Sequence, residues 1–175
     1  MRTIVLAEDL YEEMELWYPF YRLIEEKIEV VIAGPGNKKT YKGKNGYPVE
    51  VDLDTTAIKA DDYQGLIIPG GYAPDKLRRY PEILQLVREM NESGKLIASI
   101  CHGPWVLISA GIMHGRRATC YFAIKDDLIN AGTFYLDSEV VVDGNLITSR
   151  APGDLPAFCR EITAFLKSMN HGAAH

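Results

Sequence analysis

The chain predicts an α/β fold, a mostly parallel sheet with helices on both faces. Three observations carry this reading. Short apolar runs recur at Thr3 to Glu8, Ile28 to Ala33, Gly65 to Pro69 and Lys95 to Ile100, and runs without strict alternation suit strands buried on both sides. Stretches of helical period lie between most of them, the order that crossover connections turn into parallel pairing. The run at Lys95 ends abruptly in Cys101-His102-Gly103-Pro104 and is followed by an amphipathic helix from Trp105. Such a turn lifts a side chain to the carboxyl edge of the sheet, where open α/β folds keep their ligands.

Taken in order, Thr3 to Glu8 is the first strand. Tyr11 to Lys27 reads as a helix with Met14, Trp17, Tyr18, Tyr21 and Ile24 on its buried face and an interruption at Pro19. Ile28 to Ala33 is the second strand, closed by Gly34-Pro35-Gly36-Asn37. Lys39 to Gly43 and Tyr47 to Leu53 flank Lys44-Asn45-Gly46, where Asn-Gly suits a primed hairpin turn. Gly65 to Pro69 is a buried strand followed by Gly70-Gly71. Glu82 to Ser93 is an amphipathic helix stopped by Gly94. Past the turn at Cys101, Trp105 to Ala110 is helical, Ala118 to Cys120 a short strand and Ile124 to Ala131 a helix. Glu139 to Val142 and Leu146 to Ser149 are strands about Asp143-Gly144-Asn145. Asp154 to Met169 is the last helix, with Leu155, Phe158, Ile162, Phe165 and Leu166 on its buried face. Residues 1–169 form one domain, and 170–175 a small polar tail that frays.

The 175 residues suffice for one substantial core, and 47% hydrophobic with 25% charged residues is ordinary for a globular chain. A net charge of −5 without a sizeable basic cluster disfavours nucleic acid as a partner. No apolar run approaches the roughly 20 residues that span a bilayer, and no signal-peptide pattern precedes the first strand. Three widely spaced cysteines form neither a disulfide framework nor a zinc pattern. The chain reads as cytoplasmic, with no membrane, metal or cofactor requirement.

Cys101 is the leading candidate for chemistry. The sharp turn exposes it and aims helix N–H groups at its sulfur, which favours thiolate. Pro104 fits the first helical turn, where a missing donor costs nothing. A cysteine acting on a carbonyl also needs a proton partner, oxyanion donors and access. Gly70 and Gly71 follow a buried strand end and offer backbone N–H groups with no side chain in the way. Glu12, at the start of the first helix, lies beyond the carboxyl end of the first strand. His102 is a candidate base, although side chains adjacent in sequence seldom face each other.

Several segments together resemble one family. They are Tyr11-Glu12-Glu13-Met14-Glu15, Leu66-Ile67-Ile68-Pro69-Gly70-Gly71-Tyr72-Ala73-Pro74-Asp75, Ala98-Ser99-Ile100-Cys101-His102-Gly103-Pro104, Lys125 to Gly132, Val140 to Asn145, Thr148-Ser149-Arg150 and Asp154 to Phe158. In this order they make the chain similar to the ThiJ/PfpI superfamily, and within it to PfpI-type intracellular proteases, over nearly its whole length. The resemblance implies a flavodoxin-like three-layer sandwich with a nucleophile elbow, similar to class I glutamine amidotransferases. It implies Cys101 as nucleophile with His102 following, Glu12 hydrogen-bonded to the sulfur, oxyanion donors at Gly71 and His102, and Tyr121 bordering the pocket. It also implies a homo-oligomer, a dimer or a hexameric ring, in which Asp75 reaches His102 from a neighbouring subunit. Asp75 stands where the pattern most often has glutamate, one methylene longer. Trp105 departs from the smaller or polar residue often found there and narrows the pocket.

Plainer readings stand beside these. Cys120 and Cys159 are core residues. Glu12, like Glu13 and Glu15, favours a helix N-terminus by charge alone. Asp75 suits a solvated turn, and Gly70-Gly71 a simple tight turn. His171 and His175 lie four apart in the tail without a further ligand. The aromatic run Trp17-Tyr18-Phe20-Tyr21 is core and subunit contact. Two functions follow. One is a PfpI-type cysteine hydrolase acting on peptides or on small 2-oxoaldehydes, with glyoxalase III or deglycase chemistry. The other is a non-enzymatic, redox-sensing stress protein or chaperone with an oxidisable Cys101. An amidotransferase lacks its late histidine–glutamate pair, and a flavodoxin lacks a phosphate cradle in the first loop.

Overall fold

The computed structural model describes residues 1–172. Seven strands form the main sheet: β1 (Arg2–Leu6), β2 (Glu29–Gly34), β5 (Leu53–Asp54), β6 (Gly65–Ile68), β7 (Leu96–Ile100), β10 (Val140–Asp143) and β11 (Leu146–Ser149). Their order across the sheet is β10-β11-β7-β6-β1-β2-β5. All neighbours run parallel except β10 and β11, joined antiparallel through their tight turn. The central strands are apolar without alternation because helices cover both faces: every residue of β6 and β7 is buried. The fold is a three-layer α/β/α sandwich of the flavodoxin-like type, as the sequence predicts.

The helices are α1 (Glu13–Glu25), α2 (Ala73–Leu77), α3 (Pro81–Glu92), α4 (Pro104–Ala110), α5 (Lys125–Asn130) and α6 (Leu155–Gly172). Helix α1 packs on α6, while α2 and α3 pack on α4, which also meets α5. Two small pairs lie outside the main sheet. One is the predicted hairpin of β3 (Thr40–Lys42) and β4 (Pro48–Glu50), and the other is β8 (Arg117–Ala118) beside β9 (Phe134–Tyr135).

The structure corrects three readings. Helix α1 continues through Pro19 and turns its other face inward, burying Glu15, Leu16, Pro19 and Leu23. Met14, Tyr18, Tyr21 and Ile24 of the supposed core face are exposed, Tyr21 by 62%. Cys120 lies past the end of β8, although it is buried as expected, like Cys159. Helix α6 runs on to Gly172, three residues beyond its predicted end. The remainder of the tail, with His175, lies outside the described residues.

Candidate active site

Parallel strands β1, β6 and β7 all end on one edge, and their following loops meet there. The loop after β1 and the loop after β6 are stitched together: Tyr72 N donates to Leu10 O (2.8 Å) and Glu12 N to Gly70 O (3.3 Å). This approach requires glycine. A Cβ on Gly71, whose φ is +72°, would stand 2.4 Å from Leu10 O, and one on Gly70 would stand 2.6 Å from both Cys101 Cβ and Glu15 Oε2.

Cys101 sits on the bend between β7 and α4 with φ at 61°, a conformation L-residues rarely adopt. Hydrogen bonds on both sides hold it there, Cys101 N to Ser149 O (3.0 Å) and Tyr121 N to Cys101 O (2.9 Å). The backbone N–H groups of Gly71 and His102 pull the thiol pKa down, as donors beside a sulfur do. The thiol is not exposed as expected: Cys101 is only 8% accessible. Loops and His102 close over the elbow more tightly than the turn alone suggests.

The acidic partner also differs. Glu15, one turn beyond Glu12, enters the core beneath the elbow and accepts from Gly70 N through Oε2 (2.7 Å). Burial pushes its carboxyl up to about 8. Burial first, then the Glu15 charge, push the Cys101 thiol up to about 12, against the opposing pull of the Gly71 and His102 N–H groups. Two acids this close do not both ionise, and with both raised above neutrality each keeps its proton at neutral pH. Glu15 Oε1 is buried without a hydrogen-bond partner, a setting that favours the neutral carboxyl. Glu12 is turned to the ammonium of Lys44 in the hairpin. Sequence reasoning missed Lys44, a residue of a turn, although its charge acts on Cys101 and Glu15 and, after burial, helps lower the His102 pKa.

His102 does turn back on its neighbour, with Nδ1 3.3 Å from Cys101 Sγ. Its ring stacks on Tyr121 (centroids 5.0 Å, planes 30° apart) and meets the edge of Trp105 (5.2 Å, 66°). Among the described residues no carboxylate of the same chain hydrogen-bonds that ring. Asp75, in α2, is half exposed and paired with Arg79.

The whole of this arrangement lies inside a family match. The DJ-1/PfpI family model covers residues 1–164. The chain belongs to the DJ-1/PfpI family. A deglycase of Pyrococcus abyssi is 47% identical over 95% of this chain and 100% of its own length. General stress protein 18 of Bacillus subtilis is 39% identical over 95% of this chain and 98% of that protein. Among solved structures, a two-domain Anabaena variabilis protein with DJ-1/ThiJ/PfpI-like and ferritin-like domains superposes with a TM-score of 0.93 at 44% identity, covering 95% of this chain and 48% of that one. Several relatives bear the name deglycase, and one from Bacillus subtilis the name putative cysteine protease; the sequence resemblance pointed to a protease. No described helix is long and apolar enough to cross a membrane, and no described group of three or more His, Cys, Asp or Glu could hold a metal.

Proposed function

We propose that this DJ-1/PfpI protein is a cysteine-dependent enzyme acting on small 2-oxoaldehydes or early glycation adducts, with glyoxalase III or deglycase chemistry rather than proteolysis. The observation that carries this is the depth of the nucleophile. A cysteine only 8% exposed as a residue, beneath His102, admits a small aldehyde, while a polypeptide needs a groove that brings the thiol to the surface.

In the reaction His102 Nδ1 takes the thiol proton as the Cys101 sulfur adds to the aldehyde carbon, and Glu15 stays protonated beneath. The N–H groups of Gly71 and His102 are placed to hold the developing oxyanion, to which His102 then passes that proton. His102 carries a proton from the former aldehyde carbon to the adjacent carbonyl carbon by way of an enediol, leaving a thioester on Cys101. Water hydrolyses the thioester and returns the thiol, so methylglyoxal and water give lactate with no external oxidant. Tyr121 walls the pocket. Asp75, paired within its own chain, completes the site from a neighbouring subunit of a homo-oligomer. The exposed Met14, Tyr18, Tyr21 and Ile24 face of α1 supports such assembly, since a monomer gains nothing from that stripe.

Lactate formation from methylglyoxal tests the reading. Wild type should turn over, and Cys101→Ala should lose at least about a thousandfold; equal rates overturn it. A second reading, redox sensing, draws on the buried acid beside the sulfur and on the stress-protein relative. Selective oxidation of Cys101 by mild peroxide, with no turnover of aldehyde or peptide, would favour it instead.

A further inference from the structure

We propose that Trp105, anchored by Asp127, is a positioning residue that holds the His102 ring within reach of the Cys101 sulfur. The inference rests on His102 serving Cys101 as proposed above, and it concerns what keeps it there. A histidine directly after the nucleophile must fold back to present Nδ1, and among the described residues no carboxylate of its own chain hydrogen-bonds the ring. Within the protomer, packing holds it. The imidazole lies between Tyr121, stacked at 5.0 Å, and Trp105, edge-on at 5.2 Å.

Tyr121 is fixed through its backbone, by the bond from its N–H to Cys101 O. Trp105 is fixed through its side chain. Its indole Nε1 donates to Asp127 Oδ2 (2.8 Å) from α5, and the Arg78 guanidinium lies 5.5 Å from its ring centroid. Arg78 is itself tied to Ser109 Oγ of α4 (2.8 Å). Thus α4 supplies the wall, while α5 and the residue closing α2 lock it. The charged and titratable groups around the ring are Cys101, Tyr121 and Lys44, with Asp127 and Arg78 behind the indole. A residue set merely to narrow the pocket needs neither anchor.

The test reads Cys101 alkylation by iodoacetamide against pH, together with the His102 titration by NMR. Asp127 is exposed, so Asp127→Ala leaves the core untouched. Asp127→Ala and Trp105→Ala should slow alkylation about tenfold, and Trp105→Ala should raise the His102 midpoint as the ring loses cover. Asp127→Asn keeps an acceptor for the indole and should restore the rate. In a His102→Ala background the Trp105→Ala effect should vanish. Unchanged alkylation and an unchanged His102 midpoint in Trp105→Ala and Asp127→Ala overturn the inference while the nucleophile stands. A Trp105→Ala effect that persists without His102 also overturns it. Loss of the proposed function shows separately, as a wild-type Cys101 that does not alkylate.

Discussion

The two ends of β7 treat polar groups in opposite ways. At its amino end, Lys95 O accepts from Asn145 Nδ2 (2.9 Å), and Asn145 Oδ1 accepts from Arg116 (3.2 Å). Arg116 also donates to Asp143 Oδ2 (3.0 Å) and Asn91 Oδ1 (3.2 Å), while Arg117 N donates to Asp143 as well. At the carboxyl end, Glu15 Oε1 and Ser99 Oγ are buried without partners, and Cys101 and Leu10 sit at φ values of 61° and 68°. One end ties β7 to β8 and the β10–β11 turn with its donors satisfied. The other keeps strain and unspent hydrogen-bonding capacity, and there the reactive sulfur stands.

The difference has a sign that pH reveals. Glu15 has an ordinary value of 4.5 and is raised to about 8 by burial. Between those values the folded chain binds more protons than the unfolded one, so stability falls as pH rises. Glu15→Gln keeps an acceptor for Gly70 N and removes the ionisation. Urea unfolding should show wild type losing about 4 kcal/mol between pH 5 and 9 while the variant stays flat. A wild-type profile as flat as the variant's would show that the elbow carries no such cost.

Asp143 slopes the other way. Burial opposes its ionisation, yet hydrogen bonds from Arg117 N and Arg116 outweigh it and hold the carboxyl below the usual range. Its stabilisation is present above the unfolded value of 3.8 and lost as pH falls through the lower folded value. Asp143→Asn should cost about 2 kcal/mol at neutral pH, discounted because both partners are about a fifth exposed. That loss should disappear in acid, with Cys101 alkylation unchanged per folded molecule. If alkylation falls too, the two ends are coupled through β7.

The sequence made the stable parts of the molecule legible and blurred the reactive ones. Apolar runs located β1, β2, β6 and β7, Asn45-Gly46 located the hairpin, and the break after Ile100 located the elbow. Helix α1 reversed its reading because an exposed aromatic stripe and a buried Glu15 both violate the pattern by which faces are assigned. Nothing local marks Glu15 over Glu12 as the residue beneath the sulfur. Both are carboxylates in a helix start, and only the packing of β1, β6 and β7 decides which points inward. Lys44 was hidden for a similar reason, since a turn lysine is ordinary until the hairpin folds over Glu12. Helix α2 and strand β9 are too short for periodicity to reveal.

The smallest effects test strain itself. Lys27 also holds a positive φ, 60°, but at the end of α1, where Ile28 N bonds Leu23 O (3.0 Å) in the closing turn. Glycine suits that position, so Lys27→Gly should raise stability by about 0.5–1 kcal/mol and leave Cys101 alkylation unaltered. Leu10→Gly should relieve similar strain while giving up the buried part of a side chain that is 41% exposed, so that any gain in stability is smaller than at Lys27. Leu10 O, however, accepts from Tyr72 N and so fixes the segment carrying Gly71 N–H to the sulfur. Freeing that loop should slow alkylation even as urea unfolding reports a stabler protein. If Leu10→Gly instead behaves like Lys27→Gly in both measurements, strain at the carboxyl edge is incidental, and the sulfur's reactivity rests on Glu15 and the backbone donors alone.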